Sequence, residues 1–184
     1  MKSQVANAHA AKQTPSASRV ETAQAVLPGH TNPMGTLFGG VLMQWIDVAA
    51  AISASRHARG QVVTASMDRL HFLRPVRLEE FVIVRAEVSH AARTSMEVEV
   101  EVLSENPWTG ERATTTHALL TFVSVDEQGR PRAVPTLRLE TAAERRRFKQ
   151  AALRRAARLA ERSDLERFGV HRKVTTRRSS RKHV

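Results

Sequence analysis

Apolar residues occupy every side of the segment Gly40–Ala58 (GVLMQWIDVAAAISASRHA) through its first four turns, and no proline interrupts it. Ala, Leu and Met favour helix, and apolar positions all round predict a helix buried on every side. It begins near Gly39 and is ended by Gly60; Arg56 and His57 in its last turn suit the negative end of the helix dipole. Ahead of it, Val20–Leu27 reads as a short strand and Pro28–Gly35 as a loop dense in turn formers. After Gly60 the hydrophobic period changes from 3.6 to 2. The change is clearest in Thr94–Leu103 (TSMEVEVEVL), where Met96, Val98, Val100 and Val102 share one face and Glu97, Glu99 and Glu101 the other. Val62–Phe72, Glu80–Val88 and Arg112–Val125 are predicted as further strands, separated by turn-rich segments. An all-apolar helix and an antiparallel meander with one apolar face satisfy each other when the sheet wraps around the helix, so an α+β fold with a central helix is expected.

Composition narrows the chemistry. The chain of 184 residues has the size of one domain with some extra sequence. It contains no Cys, which excludes disulfides, thiolate metal sites and cysteine nucleophiles and fits a reducing compartment. No apolar stretch has the length of a membrane span or of a signal-peptide core, and a cytoplasmic location is expected. The net charge of +11 is confined to one end: residues 144–184 hold 15 Lys and Arg against 4 Asp and Glu, leaving 14 of each sign in 1–143. The body is electrically ordinary, and its chemistry is to be sought apart from the basic tail.

That chemistry starts from Asp47, placed mid-helix among Trp45, Ile46, Val48, Ala49 and Ala50. A carboxylate in such surroundings is costly unless paired, and such groups concentrate at functional sites; a structural pairing with an Arg or a backbone group is the alternative. Gly39 and Gly40 at the helix start offer backbone N–H groups with no side chain to block a ligand, or else serve a tight turn. An oxyanion formed by attack on a thioester carbonyl is stabilised by such donors, with Asp47 two turns further on expected to reach the same carbonyl. His57 lies ten residues from Asp47 on the same helix, so the spacing supports no catalytic triad, and no His, Asp or Glu spacing matches a metal site. His30 and His117 are read as structural.

Segment 30–58, HTNPMGTLFGGVLMQWIDVAAAISASRHA, closely resembles the hot-dog-fold acyl-CoA thioesterases, in which a TN-x-x-G-T-x-F-G-G loop leads into a helix bearing the catalytic Asp. VVTASMD at 62–68, FLRPV at 72–76, RTSMEVEVEV at 93–102, TGERATTT at 109–116 and LLTFVSVDEQGRPRAVP at 119–135 resemble the same family in the same order. The resemblance implies hydrolysis of acyl-CoA to free fatty acid and CoA. Asp47 would act as general base or nucleophile, Asn32 would orient the water or the thioester, and Gly39, with Gly40 beside it, matches the oxyanion donor. It also implies a site formed between two subunits of a dimer, with dimers assembling into trimers. CoA is part of the substrate, and no separate cofactor is implied. Pro33 and Met34 fill loop positions that are often polar in relatives, and the basic tail has no counterpart in the core motif.

The polyanionic end of CoA calls for cationic or polar donors. Arg93, Thr94 and Ser95 before a strand and Arg56 and His57 at the helix end are the candidates carried over from the family. The organisation expected is a disordered leader at 1–17, the hot-dog domain at 18–140, and a basic helix with a disordered end at 141–184. Thr141 to Glu144 is a capping box opening a helix over Ala142–Arg162, with Phe148, Ala152, Ala156 and Leu159 along a thin stripe. An inactive protein that binds nucleic acid or anionic membrane through this tail is the alternative function. Deletion of 144–184 is expected to leave the body folded and hydrolysis largely unchanged.

Overall fold

The computed structural model describes residues 12–167, with side chains described as far as residue 161. In chain order the elements are β1 (Lys12–Gln13), β2 (Val20–Ala25), α1 (Gly39–Ala58), β3 (Val62–Phe72), β4 (Phe81–Ala91), β5 (Ser95–Glu105), β6 (Arg112–Ser124), β7 (Thr136–Leu137) and α2 (Ala142–Arg167). Five strands form one antiparallel sheet in the order β2-β4-β5-β6-β3, and α1 lies across its concave face. The alternation in β5 places Met96, Val98, Val100 and Val102 toward the helix, where they meet Val82, Val84, Ala86 and Val88 of β4 and Leu120 and Phe122 of β6. From the other side Leu42, Ile46, Ala49, Ala50 and Ala54 of α1 close this core.

The helix is not buried on every side. Met43 (40% exposed), Val48 (52%) and Ile52 (39%) face outward within one chain, next to Val63 (49%) of β3. β3 is also an edge strand that pairs with β6 alone. Hydrophobic periodicity reports that a face avoids water, and does not say whether the cover is the chain's own sheet or another molecule.

The helix end also differs from expectation. The left-handed residue is Arg59 (φ 52°), and Gly60 follows it. Gly60 leaves room for the guanidinium of Arg132, which would have to shift if a Cβ stood there and whose Nη2 donates to the Ala58 carbonyl. Arg132 thus satisfies one of the last helical carbonyls.

The outer face of the sheet is partly covered as well. Glu97, placed on the solvent side by its alternation, is 2% exposed, and Glu87, opposite Glu99 on β4, is 9%. Arg147 of α2 donates to Glu87 Oε1 at 3.0 Å, Arg19 holds Glu87 Oε2 at 2.7 Å, and the Phe148 ring lies 4.6 Å from that of His90. Ala151 is fully buried. The expected capping box opens α2: Thr141 Oγ1 accepts from the Glu144 N–H at 3.1 Å, and Glu144 Oε2 accepts from the Thr141 N–H at 2.8 Å. The first compact unit therefore runs to Ala151, and the boundary expected at 140/141 falls at 151/152. In the second unit α2 continues to Arg167, with Leu153 and Leu159 exposed. The disordered end expected beyond Gly169 lies outside the described residues.

Part of the stretch expected as a disordered leader, residues 12–17, is ordered against the body. Lys12–Gln13 pair with Thr136–Leu137, and Pro15 and Ser18 are buried, with Ser18 Oγ accepting from the Val88 N–H at 3.1 Å. Residues 1–11 lie outside the described part.

Removing 144–184 therefore strips a docked element from the body. This truncation is expected to cost about 2 kcal/mol, or about 4–8 °C in the unfolding midpoint. Removal of 152–184 alone should change the midpoint by less than about 2 °C. Thermal unfolding of the two truncated proteins beside the full chain measures the difference.

Candidate functional site

The loop ahead of α1 is a small closed structure built on Asn32. Asn32 Oδ1 accepts the backbone N–H groups of Met34 (2.9 Å) and Thr36 (3.2 Å), and its Nδ2 donates to Thr36 Oγ1 at 3.0 Å. Gly35 takes φ +73° in the turn, and Met34 is 86% exposed at its tip. The loop is tied to the helix through His30, whose ring packs edge-on against Trp45 at 5.2 Å and whose Nδ1 accepts from the Leu27 N–H. His30 is thus structural, as its surroundings in sequence suggest.

The loop delivers the chain to an uncapped helix. Phe38 is the N-cap, with no side-chain hydrogen bond and no acidic residue in the first turn. Its carbonyl accepts from Val41 and Leu42. Gly39 and Gly40 ahead of them have no acceptor among the described contacts, as the geometry of a helix start dictates. A Cβ on Gly40 would come 2.5 Å from the Phe38 ring, so glycine is needed for the ring to lie over the first turn. Two free N–H groups at the positive end of a 20-residue helix form a place for negative charge.

Asp47 is half-buried, and Thr64 Oγ1 of β3 donates to its Oδ1 at 2.9 Å. The carboxylate sits within the outward apolar face, among Met43, Val48, Ile52 and Val63. Thr64 is the residue that sequence reasoning missed. A Thr within a β-strand is ordinary, and its only signal was membership of the block VVTASMD.

The expectation that Asp47 and the helix-start donors of one chain serve one carbonyl does not survive the helix geometry. Eight residues at 1.5 Å each separate Gly39 from Asp47 by about 12 Å along the axis. Groups acting on one reacting centre must each lie about 3 Å from it. Nor do the hydrogen bonds of Asn32 lead to Asp47, since its partners are Met34 and Thr36 in its own loop.

The residues carried over for CoA lie elsewhere. His57 is fully buried; its Nε2 donates to the Pro135 carbonyl at 2.8 Å, and burial holds its pKa below the usual value, so the ring is neutral and structural. Arg56 donates to the Arg19 carbonyl at 2.6 Å. Arg93 and Thr94 lie in the β4–β5 turn and Ser95 opens β5; the Thr94 carbonyl accepts from the Ser124 N–H, while the Val125 N–H donates to the Gln61 carbonyl just past the end of α1. They therefore gather at the C-terminal end of α1, and the free N–H groups stand at the other.

At that other end a cavity of about 350 Å³ is lined by Leu37, Gly39, Leu42, Phe72, Leu73, Arg74, Pro75 and Val76. A second cavity, of about 540 Å³, lies on the outer face of the sheet among charges that are already paired, Arg19 and Arg147 with Glu87 and Arg85 with Glu21. Among the described residues no group of three or more His, Asp or Glu is placed to hold a metal ion, and no helix is long and apolar enough to cross a membrane.

Comparison with known proteins agrees with this architecture. The pattern of the Thioesterase superfamily matches residues 34–110. An uncharacterized acyl-CoA thioester hydrolase of Bacillus subtilis, YkhA, is 44% identical over 67% of this chain and 72% of its own. The acyl-CoA hydrolase of Staphylococcus aureus, solved with butyryl coenzyme A and coenzyme A, superposes with a TM-score of 0.78 at 34% identity, covering 87% of this chain and 99% of that one. Variants of that enzyme with an aspartate, a threonine and an asparagine each replaced by alanine have also been solved. A hexameric acyl-CoA thioesterase superposes with a TM-score of 0.79 at 40% identity, over 82% of this chain and 97% of its own. With its sheet wrapped around a central helix and this degree of likeness along the body, the chain belongs to the hot-dog-fold acyl-CoA thioester hydrolases of the thioesterase superfamily.

Proposed function

We propose that this protein hydrolyses acyl-CoA thioesters to a free carboxylic acid and CoA at a site shared by two copies of the chain. The observation that carries the reading is the Asp47 carboxylate, held by Thr64 in the middle of an apolar helix face that one chain leaves uncovered. Exposed apolar area of this kind marks an interface, and the open edge of β3 beside it offers backbone groups for pairing. A second copy fits both. In an isologous contact residue i meets residue j twice, so Asp47 of each chain faces the helix start of the other and two equivalent sites result. That arrangement removes the separation of about 12 Å that stands between Asp47 and Gly39 in one chain.

In this site the N–H groups of Gly39 and Gly40 receive the thioester oxygen, and Asn32 at the same helix start uses its remaining Nδ2 proton on the water or the carbonyl. Asp47 of the other chain, oriented by Thr64, takes a proton from water as the water oxygen bonds to the carbonyl carbon. The C–S bond then breaks, and the sulfur leaves as the CoA thiol with the proton that Asp47 had accepted, which restores the carboxylate. Direct attack by the carboxylate through an anhydride gives the same products. The aspartate, threonine and asparagine replaced in the Staphylococcus aureus enzyme are the same three residue types, which supports this assignment. Hexameric relatives support assembly beyond the dimer. The alternative of an inactive protein that binds through its tail has no supporting observation among the described residues.

Asp47→Asn should lower acyl-CoA hydrolysis by at least ~10²-fold with folding intact, as removal of a general base does. Thr64→Val should give a smaller loss, since it orients the carboxylate without touching substrate. Release of free CoA thiol measures both, and near-wild-type turnover in Asp47→Asn would exclude its role.

Val48→Asp places a charge in the uncovered face. It should shift the protein to monomers in sedimentation and abolish hydrolysis together with the assembly. A Val48→Asp monomer that keeps full activity would overturn the two-chain site.

A further inference from the structure

We propose that Phe72 sets the acyl-chain length that the enzyme accepts, by walling the apolar cavity at the start of α1. The proposal rests on the thioesterase reading above and goes beyond it to the class of acyl group. Gly39 lines the cavity itself, so a thioester carbonyl held at its N–H has the cavity immediately beside it. The walls are Leu37, Leu42, Phe72, Leu73, Pro75 and Val76, of which Leu37, Leu42 and Val76 are buried members of the core and fix one side. Arg74 is the one charged residue in the lining. An apolar cavity beside a carbonyl site fits an aliphatic chain, and polar acyl groups would lose hydration there without a partner other than Arg74.

Volume and rotamer freedom decide the limit. The cavity of about 350 Å³ lies in the size range of small-ligand pockets and has room for an acyl chain of medium length. The core residues on one side cannot retreat, because interiors are close-packed. Phe72 can: it ends β3, its ring is 53% exposed, and its Cζ lies 3.4 Å from where a Cβ on Gly39 would stand. The ring is therefore the movable wall nearest the carbonyl, and its size sets how far a chain extends.

The test is kcat/KM for butyryl-, octanoyl- and palmitoyl-CoA with the full-length protein. The wild type should prefer octanoyl-CoA. In Phe72→Ala the ratio of palmitoyl to octanoyl should rise by about tenfold or more, as expected when a wall in an apolar pocket is removed. Phe72→Leu should lie between the two, and its similar bulk guards against a fold defect in the alanine variant. Equal changes at all three chain lengths in both variants would overturn the role of Phe72 and leave the hydrolase reading intact. Absence of hydrolysis of any of the three by the wild type would overturn the functional reading and this proposal with it.

Discussion

The constraint on which the rest depends is that α1 has two apolar faces and only one sheet to cover them. Ile46, Ala49, Ala50 and Ala54 fill the concave face of the sheet, and Met43, Val48 and Ile52 are left outward. Contiguous apolar area left in water in this way marks a surface that another molecule covers. The same uncovered face carries Asp47, an acid whose one side-chain partner here is Thr64. In the proposed dimer a second copy covers this face and excludes water from around the carboxylate as the shared site is completed. Assembly and chemistry thus follow from a single arrangement of side chains.

Helix geometry sharpens this. The rise of 1.5 Å per residue fixes Asp47 about 12 Å from Gly39 whatever the side chains do. Among the described contacts the Gly39 and Gly40 N–H groups have no acceptor, and Phe38 occupies the N-cap position where a Ser, Thr, Asp or Asn side chain would bond that of Gly40. In the proposed reaction one end of the helix receives an oxyanion and its middle supplies a base, and a second helix is what brings the two together. Elsewhere the fold spends its polar groups on itself: Arg132 caps the end of α1, His57 bonds the Pro135 carbonyl, and Arg147 fastens the start of α2 to Glu87.

Much of this was legible in the sequence, for physical reasons. Helix α1 and strand β3 fall on their expected residues because glycine pairs, turn formers and a change of period mark their ends. The inner face of β5 follows from strict alternation. Alternation cannot say what covers the outer face, so the burial of Glu97 and Glu87 and the docking of Ala151 were not foreseen. His57 is a CoA candidate carried over from the family resemblance, yet it is buried and bonded to the Pro135 carbonyl, 78 positions away, a contact that no local pattern reports. Asp47 was conspicuous as a lone acid on an apolar helix, whereas Thr64 was not, since its contact with Asp47 depends on how β3 lies against α1.

The shared site is tested most directly by restoring activity from two inactive proteins. Asn32→Ala and Asp47→Asn are each expected to hydrolyse acyl-CoA poorly. When their subunits are mixed and allowed to exchange, half of the dimers pair one variant with the other, and one of the two sites in each such dimer receives an intact Asn32 from one chain and an intact Asp47 from its partner. Hydrolysis should recover to about a quarter of the wild-type rate per chain. A mixture that, after exchange is verified, stays as inactive as its components would show that Asn32 and Asp47 do not meet across the interface, and the account would be wrong.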